Sequence, residues 1–221
     1  MFRQIQQELD NIRQKDPACK HCLSIWLYYP GFQAVLAHRL FHWLWKMNFG
    51  ILNTLTHTLI RLLQYWVKIV TNIEIHPAAS IGENFFIDHG SGVVIGETAQ
   101  IGDHVVIYQG VTLGGVSTKD EKRHPTLGNN IVVGAGAKIL GNITIGDYVQ
   151  VGANSVVLKD VPSRSTVVGI PGRIVKMNGD LEDIIDNLDH HKTPDFLGES
   201  IKMLTKKIEE LEKELESLKA S

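Results

Sequence analysis

The chain has 221 residues, 43% of them hydrophobic and 21% charged, with 22 basic against 24 acidic side chains and a formal net charge of -2. That composition excludes a disordered chain, and it lacks the basic excess with which a nucleic-acid binder neutralises phosphates, so no nucleic acid is expected as a partner. At roughly 100–200 residues per domain it allows one large domain or two small ones with a real core.

The first fifteen residues, MFRQIQQELDNIRQK, carry three basic and two acidic groups and no apolar run, so no secretory signal is expected. Two cysteines, Cys19 and Cys22, are too few for a disulfide framework and fit a reducing, cytoplasmic setting. They bracket His21 as C-x-x-C, but no second C-x-x-C completes a zinc tetrad and no βαβ pattern surrounds it, so the pair reads as ordinary. Residues 1–72 read as an α-helical domain. Asp16-Pro17 and Pro30-Gly31 punctuate it, and Leu36, Leu40, Trp43 and Leu44 recur at helical spacing. The most apolar stretch, Gly50 to Val70, is interrupted by His57, Arg61, Gln64 and Lys68, whereas a membrane span needs about 20 predominantly apolar residues. A core helix is expected there, and no membrane partner.

From residue 73 to 176 the chain keeps a period of six. Aliphatic residues fall at Ile75, Ile81 and Ile87, then at Ile95, Ile101, Ile107 and Leu113, then at Leu127, Val133, Ile139, Ile145, Val151 and Val157. Glycine follows eight of these thirteen positions (Gly82, Gly96, Gly102, Gly114, Gly128, Gly134, Gly146 and Gly152), which suits a corner needing unusual dihedrals. Four residues after the aliphatic stands an uncharged residue such as Ala79, Phe85, Ser91, Ala99 or Val105, giving a second inward position per hexapeptide. A helix repeats near 3.6 and a strand at 2, so a strict six predicts a parallel β-helix of hexapeptide rungs. Leu140 and Leu158 replace the corner glycine eighteen residues apart, which hints at three rungs per triangular coil and about five coils. The long faces of such a solenoid suit packing against copies of itself.

Two insertions break the period: two extra residues in IDHGSGVVIG, and eight extra in GGVSTKDEKRHPT. Loops on a rigid repeat are where binding and chemistry gather, and each of these carries a histidine, His89 and His124. Beyond GIPGRIV (Gly169 to Val175) a tail over 177–221 turns polar, then places Ile201, Leu204, Ile208, Leu211, Leu215 and Leu218 at alternating three- and four-residue steps, a short coiled-coil seam.

The segments IEIHPAASIG, IDHGSG, QGVTLGG, KRHPTLG and GAGAKILGNITIG, with Asp16-Pro-Ala and GFQAVLAHRLFHWLW before them, closely resemble the serine acetyltransferases of bacteria and plants. The resemblance covers about residues 10 to 176, and DHG paired with RHP across an insertion is its most specific part. It implies an N-terminal α-helical domain followed by a left-handed parallel β-helix, which with the helical tail read from its own spacing makes an α+β architecture. It implies homotrimers or dimers of trimers, and transfer of acetyl from acetyl-CoA to the L-serine hydroxyl, giving O-acetyl-L-serine for cysteine synthesis.

Residue by residue, the resemblance makes His89 the catalytic base, with Glu74 behind it where the family often has aspartate. An imidazole, with a free pKa of about 6.5, suits the removal of a hydroxyl proton at neutral pH, and a carboxylate on its other nitrogen fixes the tautomer. Asp16 and Asp88 would hold the substrate ammonium, and Arg123 and His124 its carboxylate, so that opposite charges orient a zwitterion. Many family members carry a second acidic residue shortly after the aspartate at 16, where this chain has Lys20. Coenzyme A would lie between neighbouring β-helices near Gly114, Ala135 and Ala153, with Lys138, Lys159, Arg164 and Arg173 as candidates for its phosphates. L-Cysteine, which shares serine's charged groups, is the expected feedback inhibitor. The chain ends Lys-Ala-Ser, without the C-terminal isoleucine through which many members dock O-acetylserine sulfhydrylase, which argues against that partnership.

Three other readings compete. One is a hexapeptide acyltransferase for another hydroxyl, such as a sugar. Another is a zinc enzyme of the β-helical carbonic anhydrase type using His76, His89, His104 and His124, although their surroundings do not match that family and no metal is expected. The third is a noncatalytic scaffold.

Overall fold

The computed structural model describes residues 22–177, 205–208 and 210. These belong to two units, one spanning Met1–His190 and one spanning His191–Ser221. In the second unit residues 205–208 are helical and exposed, Ile208 among them; Asp16, Cys19 and the other residues of the expected coiled-coil seam lie outside the described residues.

Short strands wind through the six-residue period so that every third one pairs in parallel. Face A stacks β1 (Glu74–Ile75), β4 (Val94–Ile95), β7 (Thr112–Gly114), β10 (Lys138–Leu140) and β13 (Val156–Val157). Face B stacks β2 (Ser80–Ile81), β5 (Gln100–Ile101), β8 (Thr126–Leu127) and β11 (Thr144–Ile145). Face C stacks β3 (Phe86–Ile87), β6 (Val106–Ile107), β9 (Val132–Val133), β12 (Gln150–Val151) and β14 (Ser165–Val168), closed by antiparallel β15 (Arg173–Met177). The register stacks like on like, Ile75 on Ile95, Ile95 on Leu113, Leu113 on Ile139 and Ile139 on Val157. All thirteen periodic aliphatics are buried, and a fully buried side chain of this kind contributes about 1.5–3 kcal/mol.

Two details of the repeat depart from expectation. Ser91 is exposed, and Val93 fills the inward slot instead, because the two-residue insertion shifts the register there. None of the eight corner glycines has a positive φ. Their need is steric: a Cβ on Gly102 would stand 2.5 Å from the Gly128 carbonyl oxygen, and one on Gly146 would stand 2.5 Å from the Ser163 nitrogen. The left-handed backbone falls elsewhere, at residues such as Asn84, Asn130 and Asn154 that directly precede an inward side chain, where asparagine tolerates it.

The helices are α1 (Cys22–Tyr28), α2 (Pro30–Lys46) and α3 (Asn53–Thr71), with a 3-10 turn at Gly50–Leu52. Pro30 starts α2 with its φ already helical, and Asn72, left-handed at φ 56°, ends α3. Helix α2 buries Phe32, Ala34, Val35, His38 and Phe41; Leu40 and Trp43, expected inward from their spacing, are exposed. At its start α2 lies close on the first coil: a Cβ on Gly31 would sit 2.2 Å from the Ile87 carbonyl oxygen. The Arg39 guanidinium donates to the Ile81 and Gly82 carbonyls, and Gln64 of α3 donates to the Ile75 carbonyl. Helix α3 is not the core helix expected: in this chain it buries only Ile60, Gln64 and Thr71, and leaves Leu55, Leu59, Leu62, Trp66 and Ile69 exposed.

Candidate active site

The first insertion lies where the chain turns from face C to face A. The Gly90 N–H donates to the Asp88 carbonyl at 2.7 Å and the Ser91 N–H to the His89 carbonyl at 2.8 Å. Both His89 and Gly90 are left-handed, at φ 58° and 60°. Glycine takes that conformation freely, whereas for histidine it is uncommon and is typical of sites where side-chain direction matters. The His89 side chain is 77% exposed, and its Nε2 lies 3.9 Å from Asp88 Oδ1. Directly above Asp88 in the next coil, burial and then the Asp88 charge push the Tyr108 hydroxyl pKa up.

Glu74 occupies the same corner one coil earlier, its N–H donating to the Val93 carbonyl. Its carboxylate is held by Lys68 of α3, Nζ to Oε2 2.5 Å, and is not in hydrogen-bond contact with His89. The structure thus gathers Glu74, Asp88 and His89 at one corner, with the Glu74 carboxylate turned to α3.

The second insertion returns to the next corner, between faces A and B, where Arg123 and His124 stack on the coil below at Gly96–Thr98. The Arg123 Nη2 pairs with Glu97 Oε2 at 2.5 Å, and its Nη1 makes a long 3.4 Å contact to the Lys119 carbonyl. His124 is buried, and burial first, then Arg123 and Lys122, lower its pKa against the opposing pull of Glu97. Lys122 Nζ donates to the Thr98 carbonyl at 2.7 Å and the His124 carbonyl at 2.6 Å, and its burial lowers its own pKa. Glu97, Thr98 and Lys122 escaped sequence reading because nothing distinguishes a corner threonine or a loop lysine until the loop is folded back. The one available signal was the glycine at 96 opposite the insertion.

These two corners do not meet within one chain. Residues 92–97 carry the backbone across face A, and five steps at about 3.3 Å make roughly 16 Å. Tyr108, Gly134 and Gly152 follow Asp88 up the first corner in strand register. One residue further on, Gln109, Ala135 and Ala153 stack as a column, and the insertion sets Ser91 rather than His89 beneath Gln109, the Gly110 N–H donating to the Ser91 carbonyl. Gly114 lies at the far end of β7, where a Cβ would meet Leu140 at 2.8 Å. The cations disperse. Lys138 reaches the Gly110 carbonyl, Lys159 is exposed beyond β13, Arg164 sits over the Tyr148 ring at 5.9 Å, and Arg173 is exposed on β15. Among the described residues no three metal-ligating side chains converge, and His104 is an exposed left-handed corner residue. No helix among the described residues is long and apolar enough to cross a membrane.

A triangular coil of hexapeptide rungs with histidine-bearing insertions defines a left-handed β-helical transferase, and residues 124–159 match the model for bacterial transferase hexapeptide repeats. Residues 1–37 match the N-terminal model of serine acetyltransferases. The serine acetyltransferase of Synechococcus elongatus is 50% identical over 218 residues, 99% of this chain and 85% of the relative. That of Bacillus pumilus is 45% identical over 217 residues, covering 98% and 96%. Among solved structures, Neisseria gonorrhoeae serine acetyltransferase superposes with a TM-score of 0.75 at 39% identity, over 83% of this chain and 69% of that one. The same enzyme with serine gives 0.72 at 41%, over 79% and 69%, and a serine acetyltransferase in complex with cysteine gives the same values. The chain belongs to the serine acetyltransferase family.

Proposed function

We propose that this chain carries out its family's reaction, transfer of acetyl from acetyl-CoA to the hydroxyl of L-serine, at a site shared between two copies. The observation that carries the reading is the separation of the half-sites. Asp88 and His89 occupy one corner and Arg123 and His124 the next, roughly 16 Å apart, whereas a free amino acid spans only about 3.5 Å. A serine that meets both sets lies between the first corner of one copy and the second corner of its neighbour, as a closed trimer provides.

In that site Asp88, with Asp16, takes the ammonium, and Arg123 and His124 take the carboxylate. This fixes the hydroxyl toward His89 and converts an encounter of three bodies into an ordered one. His89, pushed outward by its left-handed backbone, accepts the hydroxyl proton as the oxygen attacks, and then gives that proton to the departing thiolate. Glu74 supports the imidazolium from the same corner. Acetyl-CoA supplies the acetyl thioester, and the small side chains of Ala135 and Ala153, stacked above Gln109 on the corner that carries Asp88, leave room for its pantetheine arm, with Lys138, Lys159, Arg164 and Arg173 as candidates for its phosphates. Cysteine, with the same ammonium and carboxylate, competes for this site, a reading supported by the relative solved with cysteine. The two-cysteine composition supports a cytoplasmic setting, and we take 1–72, 73–176 and 177–221 as the domains.

The test mixes two inactive variants. His89→Ala and His124→Ala protein, unfolded together and refolded, would form sites in which one copy gives His89 and its neighbour gives His124; random assortment restores roughly one quarter of the sites. Serine-dependent thiol release recovering toward that level, with none for a sugar acceptor, supports the reading. No recovery, under conditions where co-refolded wild-type chain is active, refutes the shared site.

A further inference from the structure

We infer that Thr98 is a positioning residue for substrate recognition: it fixes His124 as a neutral imidazole whose Nε2–H is the donor presented to the substrate carboxylate. The inference rests on the reading of Arg123 and His124 as the carboxylate site.

The Thr98 hydroxyl has two lone pairs and one hydrogen, and the structure uses all three. Its oxygen accepts the backbone N–H of Arg123 at 3.0 Å and that of His124 at 3.1 Å. Both lone pairs are thereby occupied, so its hydrogen goes to the remaining neighbour, His124 Nδ1, at 2.9 Å. The Thr98 backbone N–H points at the same nitrogen from 3.2 Å. A backbone N–H can only donate, so Nδ1 is an acceptor and the ring proton resides on Nε2. The other tautomer would set N–H against N–H and leave the half-buried threonine hydroxyl's hydrogen without this partner.

The ring has no freedom to choose otherwise. It lies against Gly96, where a Cβ would stand 1.9 Å from Cδ2 and 2.0 Å from Nε2, and Arg123 lies against Gly115, where a Cβ would stand 3.0 Å from Cγ. Lys122 clamps the Thr98 and His124 carbonyls together from the far side. Burial with Arg123 and Lys122 nearby disfavours the imidazolium, so His124 contributes a directed N–H and leaves the positive charge to Arg123. Glu97, paired with Arg123 at 2.5 Å, orients that guanidinium in turn. One corner dipeptide therefore positions both carboxylate-binding side chains, each through a different group.

The experiment has two arms. In the first, nitrogen-15 spectra of histidine-labelled wild-type protein at neutral pH, with His124 assigned by its loss in His124→Ala, are expected to show a bare Nδ1 and a protonated Nε2. A protonated Nδ1 overturns the inference whatever serine binding does. In the second, Thr98→Val removes the hydroxyl at nearly constant volume. The expected result is a rise in the serine KM of about tenfold, the size of one lost polar interaction, with kcat and the acetyl-CoA KM within about twofold. Thr98→Ser, which keeps all three hydrogen bonds, is expected to restore the serine KM. If Thr98→Ser is as impaired as Thr98→Val, packing of the methyl group and not the hydroxyl is responsible, and the inference fails. Should His124→Ala on its own keep wild-type serine-dependent activity, the carboxylate reading fails separately, while the spectrum still decides the tautomer.

Discussion

Placing a single methyl group at residue 96 is the sharpest test of the second corner. Gly96 has no left-handed backbone, so alanine costs nothing in φ, and the whole effect is the added Cβ. That atom would stand 1.9 Å from His124 Cδ2 and 2.0 Å from Nε2, where ordinary contact begins at 3.4 Å, so the ring must retreat by about 1.5 Å. The Thr98 bonds to Nδ1, now 2.9 and 3.2 Å, would open beyond hydrogen-bond length, and the Nε2–H would leave the place where the carboxylate binds. Losing a buried polar pair costs about 1–3 kcal/mol, and a rate falls tenfold per 1.36 kcal/mol, so kcat/KM for serine should drop by about 5- to 160-fold. The assay is thiol release with serine varied at saturating acetyl-CoA, then the reverse. The reasoning predicts that the loss resides in the serine KM while the acetyl-CoA KM stays put. A Gly96→Ala enzyme within threefold of wild type for serine would show that the ring's position is unimportant, and would refute both the seat and its purpose.

Two further outcomes follow from the body of the fold. Gly102→Ala has the same kind of clash, 2.5 Å to the Gly128 carbonyl oxygen, but on the corner between faces B and C, which carries none of the residues assigned to serine; it should lower stability by about 1–3 kcal/mol in denaturant melts while the serine KM of the folded enzyme is unchanged. Stability should also fall in acid. His38 is buried on the inner face of α2 with Nδ1 unpartnered, and burial, then His42 and Arg39, hold its pKa down to about 3 from 6.5; burial likewise lowers His76 to about 4. A histidine kept neutral when folded takes up its proton only on unfolding, so its contribution is complete above pH 6.5 and is lost as pH falls from there toward 3. Melting temperatures measured from about pH 7.5 down to 5 should decline, less steeply in His38→Phe, and an equal slope in that variant would contradict the assignment.

The β-helix was legible because its code is local and redundant. Ile75 through Val157 point inward at every sixth position, and a rung in register repeats the same physical demand as the rung below. The corner glycines were found for a partly wrong reason: sequence suggests dihedral freedom, whereas the fold needs them bare because the next coil's backbone lies against them. Ser91 was misread because an insertion of two residues moves the inward slot to Val93, a shift that no periodic template carries. The histidines of both insertions were legible from the break in the period, but not their partners. Thr98 looks like any corner residue until a loop 25 residues later returns onto it.

The helices were the hardest part to read, for a reason that bears on the assembly. Apolar spacing in α2 selected Leu36, Leu40, Trp43 and Leu44; Leu36 packs with Phe32 against Phe86 and Val106, but Leu40 and Trp43 stay exposed while Gly31, Ala34, Val35 and His38 are buried. In α3 the buried seam is Ile60, Gln64 and Thr71, while Leu55, Leu59, Leu62, Trp66 and Ile69 remain outside. A hydrophobic pattern records every surface that a helix covers and does not say which of them belong to the same chain. The half-sites obey the same logic. Asp88 with His89, and Arg123 with His124, each hold a corner of their own, and each pair is too far from the other to hold one amino acid. On the reading proposed above, the chemistry assigned to them requires a second copy that brings the opposite corner across, which the refolded mixture of His89→Ala and His124→Ala tests.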